Sequence, residues 1–329
     1  MNQFLRSLSG TQQVGAMFVL VFGVLLLASG TLFLLSLRER DDNAFGAAFG
    51  AELDNLRRVL KNTWFMAGVF WLGWVVGGWV AVSLFALVSF FALREFITLS
   101  PTHRGDHRSL ILAFFVVLPV QFWLVGGKHF DLFTVFVPVY VFLALPIVGA
   151  LADDPHRFLE RNAKMQWGIM VCVYGTSHVP ALVRLDFPGY QDKGAFMVFF
   201  LVLVVQTCMV VQHTASRRWA LPPLAPNISK SFNWRSCCAG IFAGSLLGAL
   251  LAGITPFVPG QAFALSFIAC FAGTMGHLVM KAIKRDRGVT NWGLQGMSTT
   301  GAAGLLDRVD ALCFAAPIFF HSVRWYFKV

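Results

Sequence analysis

Charge is scarce in this sequence: only 13% of its 329 residues are Asp, Glu, Lys or Arg, against 57% hydrophobic and 15% aromatic residues. So small a charged fraction excludes a soluble globule, because the apolar surface exceeds what a core of this length can hide. Acids are scarcer than bases, 16 against 26, giving a formal charge of +10. No Asp or Glu at all lies between Asp192 and Asp286, so a divalent cation held by carboxylates cannot be built from that segment. Cysteines number six and form no pattern. Cys172, Cys208, Cys270 and Cys313 sit inside apolar runs, and the adjacent Cys237 and Cys238 lie at a helix end where thiols stay reduced. Neither a disulfide framework nor a zinc-ligand spacing is present.

What is abundant is the long apolar run, and a bilayer is the solvent such runs require. A hydrocarbon core of about 30 Å takes roughly 20 helical residues. Runs of that kind lie near Val14–Leu35, Ser109–Val125, Leu132–Ala152, Trp167–Val183, Ala195–Val211, Cys237–Phe257, Gln261–Met280 and Ala311–Phe327. The stretch Thr63–Leu93 would reach about 46 Å at about 1.5 Å per residue, too long for one span. Gly73, Gly77 and Gly78 at its middle divide it into a hairpin. The first run has an apolar core too long for a signal peptide, so an uncleaved first span is expected.

Basic residues support the division. Arg38, Arg40, Arg57, Arg58 and Lys61; Arg94, Arg104 and Arg108; Arg157, Arg161 and Lys164; Arg217, Arg218, Lys230 and Arg235; and Lys281, Lys284, Arg285, Arg287 and Arg308 occupy alternate loops. By the positive-inside rule those loops are cytoplasmic, giving an all-α polytopic membrane protein of about ten transmembrane helices with both termini outside. A bacterial inner membrane is the expected location. Two portions are distinguished: a bundle with interfacial helices over 1–194, and a second bundle over 195–329 holding the densest polar motif.

Few loop residues ask for a ligand. Phe45–Lys61 and Pro155–Gln166 place apolar residues at spacings of three and four among charges, which reads as amphipathic interfacial helix. His103 and His107 have a helical metal-ligand spacing but sit in a Pro- and Gly-containing loop, so both are expected to face water and not a metal. His178, at membrane depth, and the intramembrane Gln121 and Gln206 are expected to make helix-to-helix hydrogen bonds. Gly240, Gly244, Gly248 and Ala252, four apart, suit close helix packing within the chain.

The densest polar run is Gly276–Leu312. Lys284-Arg285-Asp286 ends an apolar helix, a Gly-containing loop follows, and Asp307-Arg308-Val309-Asp310 opens the last span. Cations at the bilayer surface, mobile backbone amides and acids able to brace an arginine or hold Mg²⁺ make a phosphate-binding combination. This run resembles the signature of the phosphatidate cytidylyltransferases, or CDP-diacylglycerol synthases: S-x-apolar-K-R, four residues, K-D, then H-G-G-x-x-D-R-x-D. Arg94-Glu95-Phe96, Arg157-Phe158-Leu159-Glu160-Arg161, Gln166-Trp167-Gly168, Ser177-His178 and Cys313-Phe314-Ala315-Ala316-Pro317 extend the resemblance over most of the chain. It implies transfer of CMP from CTP to phosphatidate, with Mg²⁺ stabilising the pyrophosphate leaving group.

Lys284, Arg285, Asp307, Arg308 and Asp310 match the signature, and by resemblance Lys284, Arg285 and Arg308 would bind phosphate or lipid while Asp307 and Asp310 would hold metal. Elsewhere the chain departs. The serine is Lys281, the K-D pair is Thr290-Asn291, and the H-G-G is Ala302-Ala303-Gly304. An acid expected after Gly276 is His277, the metal aspartate after the seventh span falls on Met209, and a lysine, threonine and glutamate fall on Phe232, Asn233 and Arg235. Each metal or cation contact to developing phosphoryl charge is worth several kcal/mol, so losing several together predicts loss of catalysis. The expected protein retains the scaffold, binds a phosphatidate-like phospholipid, with CTP as a further candidate ligand, and supports an active enzyme of phospholipid synthesis; no nucleic-acid partner is expected. Two other readings compete: an active transferase with Mg²⁺ displaced to Asp286, Asp307 and Asp310, and a lipid transporter.

Overall fold

The computed structural model describes residues 10–37, isolated helical positions between 57 and 75, and residues 77–100, 103–188, 190, 193–219, 222–229, 232–289, 292 and 304–328. Arg38, Arg40, Arg58, Lys61, Asp192, Lys230, Thr290, Asn291 and Ala302 lie outside them, as does the stretch 45–61 apart from Arg57 and Leu60. By its contacts the chain forms two compact units, Met1–Ala81 and Val82–Val329.

Among the described residues the long elements are all helices, as the bilayer demands: with no water in the hydrocarbon, backbone amides and carbonyls must satisfy one another within the segment. They are α1 (Gly10–Leu37), α2 (Gly78–Thr98), α3 (Arg104–Gly126), α4 (Phe130–Ala150), α5 (158–183), α6 (Gly194–Trp219), α7 (Trp234–Leu250), α8 (Pro259–Asp286) and α9 (Leu306–Phe327). Seven are long and apolar enough to cross a membrane: α1 to α4, α6, α7 with its short 3₁₀ extension to Ile254, and α8. In α5 and α9 the apolar run is diluted by a charged first portion, Glu160, Arg161 and Lys164 in one and Asp307, Arg308 and Asp310 in the other. The stretch Thr63–Leu93 breaks at Gly77, whose φ of +119° only glycine adopts easily, and α2 begins at the next residue.

Proline shapes the middle helices. Five- or six-residue π segments, Ala113–Val117, Phe136–Val141 and Met170–Gly175, precede Pro119, surround Pro138 and precede Pro180. A proline supplies no N–H and crowds the carbonyl four residues back, so the helix widens there. Pro146 likewise frees the Phe142 carbonyl, which accepts a 2.9 Å hydrogen bond from Gln166 Nε2 of α5.

In the second unit α6 packs on α7, α8 and α9, α8 packs on α7 and α9, and the end of α5 packs on α6 and α9. The glycine row of α7 serves this packing. A Cβ at Gly240 would lie 2.6 Å from the Cys208 carbonyl oxygen of α6, and one at Gly244 would lie 2.5 Å from Cys270 Sγ of α8. Gln121 joins α3 to α5 through a 3.1 Å bond from Nε2 to Ser177 Oγ, as expected of an intramembrane amide. His178 differs from expectation: its Nδ1 pairs at 2.7 Å with the Tyr174 carbonyl of its own helix. Its ring packs on Phe133, Phe320 and His321, with the Phe133 centroid at 4.7 Å, which leaves no room for a reach to another helix's backbone.

Candidate phosphate-binding face where α8 meets α9

The signature residues sit at the polar end of α8 and the start of α9. His277, Lys281 and Lys284 fall at spacings of four and three, so one face of α8 carries all three. Asp307 and Asp310, three apart, do the same on α9. The helices run antiparallel and the two faces meet in rungs. His277 Nδ1 lies 2.7 Å from Asp310 Oδ2, and Lys284 Nζ lies 2.5 Å from Asp307 Oδ1. Their close approach depends on Gly276, where any Cβ would run into the ring of Phe314. The second oxygen of each acid is also engaged: Asp310 Oδ1 accepts from Ala311 N at 2.6 Å, and Asp307 Oδ2 from Trp292 N at 3.0 Å.

Lys281 stands between the rungs. Its amine makes a long 3.4 Å contact to Ser229 Oγ and lies in the field of Asp310 and of Lys284, with no carboxylate within ion-pair distance among the described residues. Arg308, half-buried, lies in the fields of Glu95 and Asp307 and likewise has no ion pair among the described residues. Arg285 is exposed at the end of α8.

Glu95 holds the assembly, a role that sequence reasoning noted only as part of a matching tripeptide. Its carboxylate accepts hydrogen bonds from Gly304 N and, at 2.9 Å, from Leu306 N, the first residue of α9. Those amides precede the first helical hydrogen bonds and have no partner within α9, so a carboxylate there completes the helix start. Next to it Phe96 stacks on Trp292, ring centroids 5.6 Å apart, and both are essentially inaccessible. The end of α2 thus grips both sides of the signature loop. The available signal was an acid followed by an aromatic at a helix end.

The positions that depart from the signature have other work. Phe232 is buried at 5% exposure, and its carbonyl accepts from Leu224 N at 2.7 Å. Asn233 caps α7, its side chain accepting from Ser236 N at 2.9 Å. Met209 is half-buried on α6, and Arg235 is exposed. Whether Mg²⁺ fits can be judged from the donors. Among the described residues no three His, Cys, Asp or Glu side chains form a metal-holding group. Asp307 and Asp310 each have both oxygens engaged by protein and are paired with Lys284 and His277, so the donor set among the described residues does not fit a self-contained Mg²⁺ site.

A second polar cluster lies at the start of α5. Arg161 is buried, its side chain 4% exposed, and it bridges Asp106 at 2.8 Å, Asp154 at 2.6 Å and the His156 carbonyl at 2.7 Å. The His156 amide and then the Arg161 guanidinium hold the Asp154 carboxyl below the usual carboxylate range. Hydrogen bonding from Lys164, with the charge of Arg157 beside it, similarly lowers Glu160. The amphipathic reading of 155–166 needs correction on this point: Arg161 faces inward because two acids neutralise it, while Leu159 is 81% exposed. A cavity of about 250 Å³ borders Arg161, Arg157, Lys164, His103 and, from the end of α8, Asp286 and Arg287.

Comparison with known proteins points the same way. The family described as Cytidylyltransferase family matches residues 57–326. The chain is 32% identical over 251 residues to the uncharacterized protein YnbB of Escherichia coli (strain K12), covering 75% of this chain and 80% of that protein. It is 32% identical over 133 residues to a phosphatidate cytidylyltransferase of Mycobacterium leprae, covering 39% of this chain and 41% of that protein. A phosphatidate cytidylyltransferase of Haemophilus influenzae is 24% identical over 230 residues, covering 56% and 77%.

Proposed function

The chain belongs to the cytidylyltransferase family, and from that premise we propose that it is an integral membrane protein of the phosphatidate cytidylyltransferase type that has given up nucleotidyl transfer and kept recognition of a phosphate-bearing lipid. One observation carries this reading: the two surviving acids of the signature, Asp307 and Asp310, are bound by Lys284 and His277 of the same chain. Transfer of CMP requires stabilisation of charge developing on a pyrophosphate leaving group, mainly by metal and fixed cations. Carboxylates committed to protein partners supply little of that. The polar ends of α8 and α9 with Arg285 and Arg308 still offer cations at the bilayer surface.

In this proposal the signature face is cytoplasmic in a bacterial inner membrane, both termini lie outside, and the protein supports an active enzyme of phospholipid synthesis. The test is turnover: purified protein in phosphatidate-containing nanodiscs with CTP and Mg²⁺ is expected to release no more pyrophosphate than an empty-nanodisc control. Product formation above that control would refute the proposal. Retention of Arg308 without an ion pair among the described residues favours a second reading, active transfer with phosphate held by Arg308. Under it Asp310→Ala abolishes product. Transport finds less support, because Gln121 is committed to Ser177 within the bundle.

A further inference from the structure

On α8 three side chains that carry or can carry positive charge share a face next to two acids on α9, and the middle one has no carboxylate partner among the described residues. His277 and Lys284 take Asp310 and Asp307 in rungs of 2.7 and 2.5 Å. Lys281 lies between them on the same helical face, attracted by Asp310 and repelled by Lys284, and its one hydrogen-bond contact among the described residues is the long one to Ser229. Among the described residues neither acid ion-pairs with Lys281, so its charge stands in the field of Asp310 without a carboxylate partner. Serine is the residue expected there by resemblance to the signature, and a serine supplies no such charge.

The geometry points to Lys281 as a built-in counter-cation that replaces the divalent metal, so that this face takes a phosphate monoester, on a lipid headgroup or a soluble nucleotide, without metal. A phosphate arriving beside Asp307 and Asp310 meets their charge already offset by Lys284 and Lys281, with Arg308 adjacent. A compact ammonium on a flexible stem is suited to bind phosphate as a point charge, the role a bound metal otherwise takes. The inference rests on the loss-of-transfer reading above and adds what replaced the metal.

The experiment uses the full chain in nanodiscs. Binding is measured with phosphatidate in the bilayer against phosphatidylcholine alone, and separately with CTP added to phosphatidylcholine discs, each in EDTA and in Mg²⁺. Wild type is expected to bind one of these phosphates equally well, within about twofold, in EDTA and Mg²⁺; the arm that binds identifies the source. Lys281→Ser is expected to weaken binding about tenfold in EDTA, the loss of one charge-assisted contact, and to recover when Mg²⁺ is added. Lys281→Arg should keep metal independence, and Mn²⁺ electron paramagnetic resonance should detect a bound ion in Lys281→Ser but not in wild type. Collapse of wild-type binding in EDTA, unchanged affinity in a folded Lys281→Ser protein, or no binding in either arm would overturn the inference. CTP turnover in the same preparation would refute the loss-of-transfer reading instead, leaving metal dependence to the EDTA comparison.

Discussion

Replacing Glu95 tests whether the end of α2 organises the signature. Its two carboxylate oxygens hold Gly304 N and Leu306 N, amides with no other partner among the described residues. A hydrogen bond to an ionised group contributes about 1.5–3 kcal/mol, and the half-buried position of this carboxylate argues for the lower end through solvent screening. Glu95→Gln keeps one acceptor oxygen and loses the charge, so it should release about 1–2 kcal/mol locally, and Glu95→Ala about 2–3 kcal/mol. Because about 1.4 kcal/mol is a factor of ten, amide hydrogen exchange at Leu306 and in the first turn of α9 should accelerate about tenfold in Glu95→Gln and more in Glu95→Ala, while α7 is unaffected. Exchange is preferred to a melting temperature because the effect is confined to one helix start. Equal protection of the α9 start in wild type and in a folded Glu95→Ala protein would refute the reasoning.

Three further outcomes follow from the geometry. Arg161→Ala leaves Asp106 and Asp154 without their cation and should destabilise the protein by about 3 kcal/mol, the low end for a broken buried pair because Asp154 is partly solvated; thermal unfolding in detergent measures it, and Arg161→Lys, lacking the fork, should recover only part. Gly276→Ala drives a methyl into Phe314 and should cost about 1–3 kcal/mol in the same assay, relieved when Phe314→Leu is added. Asp154 has a folded-state pKa below the usual value of about 3.9, so its stabilisation is complete above that pH and disappears as pH falls through the folded value; the acid limb of a stability profile should be shallower in Asp154→Asn than in wild type.

The membrane class was legible because it depends on additive quantities, run length and composition. The break in 63–93 was legible too, since a glycine at the middle of an overlong apolar stretch has few other uses, and Gly77 provides it through its positive φ. The glycine row of α7 could be read as a close approach because four-residue spacing keeps one face bare. Pairings across the signature were not legible. Spacing puts His277, Lys281 and Lys284 on one face, but which acid each meets depends on the antiparallel register of α8 and α9, and the approach at Gly276 sets that. Arg161 misled for a related reason: hydrophobic periodicity counts a guanidinium as outward-facing, whereas two distant acids made its burial favourable.

On the proposed reading, the loss of metal ligands and the presence of Lys281 are one electrostatic change. At an effective dielectric of about 20, a divalent ion about 6 Å from a unit charge interacts with it by about 5–6 kcal/mol. Two carboxylates alone attract such an ion with about twice that, enough to offset the reluctance of Mg²⁺ to shed water. A positive charge at Lys281 as well as at Lys284 opposes those attractions and reduces the net pull. On the proposed reading the departed positions are free for other work: Met209 is half-buried, Phe232 is buried and Asn233 caps α7. The acids that remain, Asp307 and Asp310, are the ones with structural work, each tying α8 to α9 and anchoring a backbone amide. Packing of α8 on α9 therefore accounts for both acids, and on the proposed reading it is Arg308, without an ion pair among the described residues, that is open to a ligand.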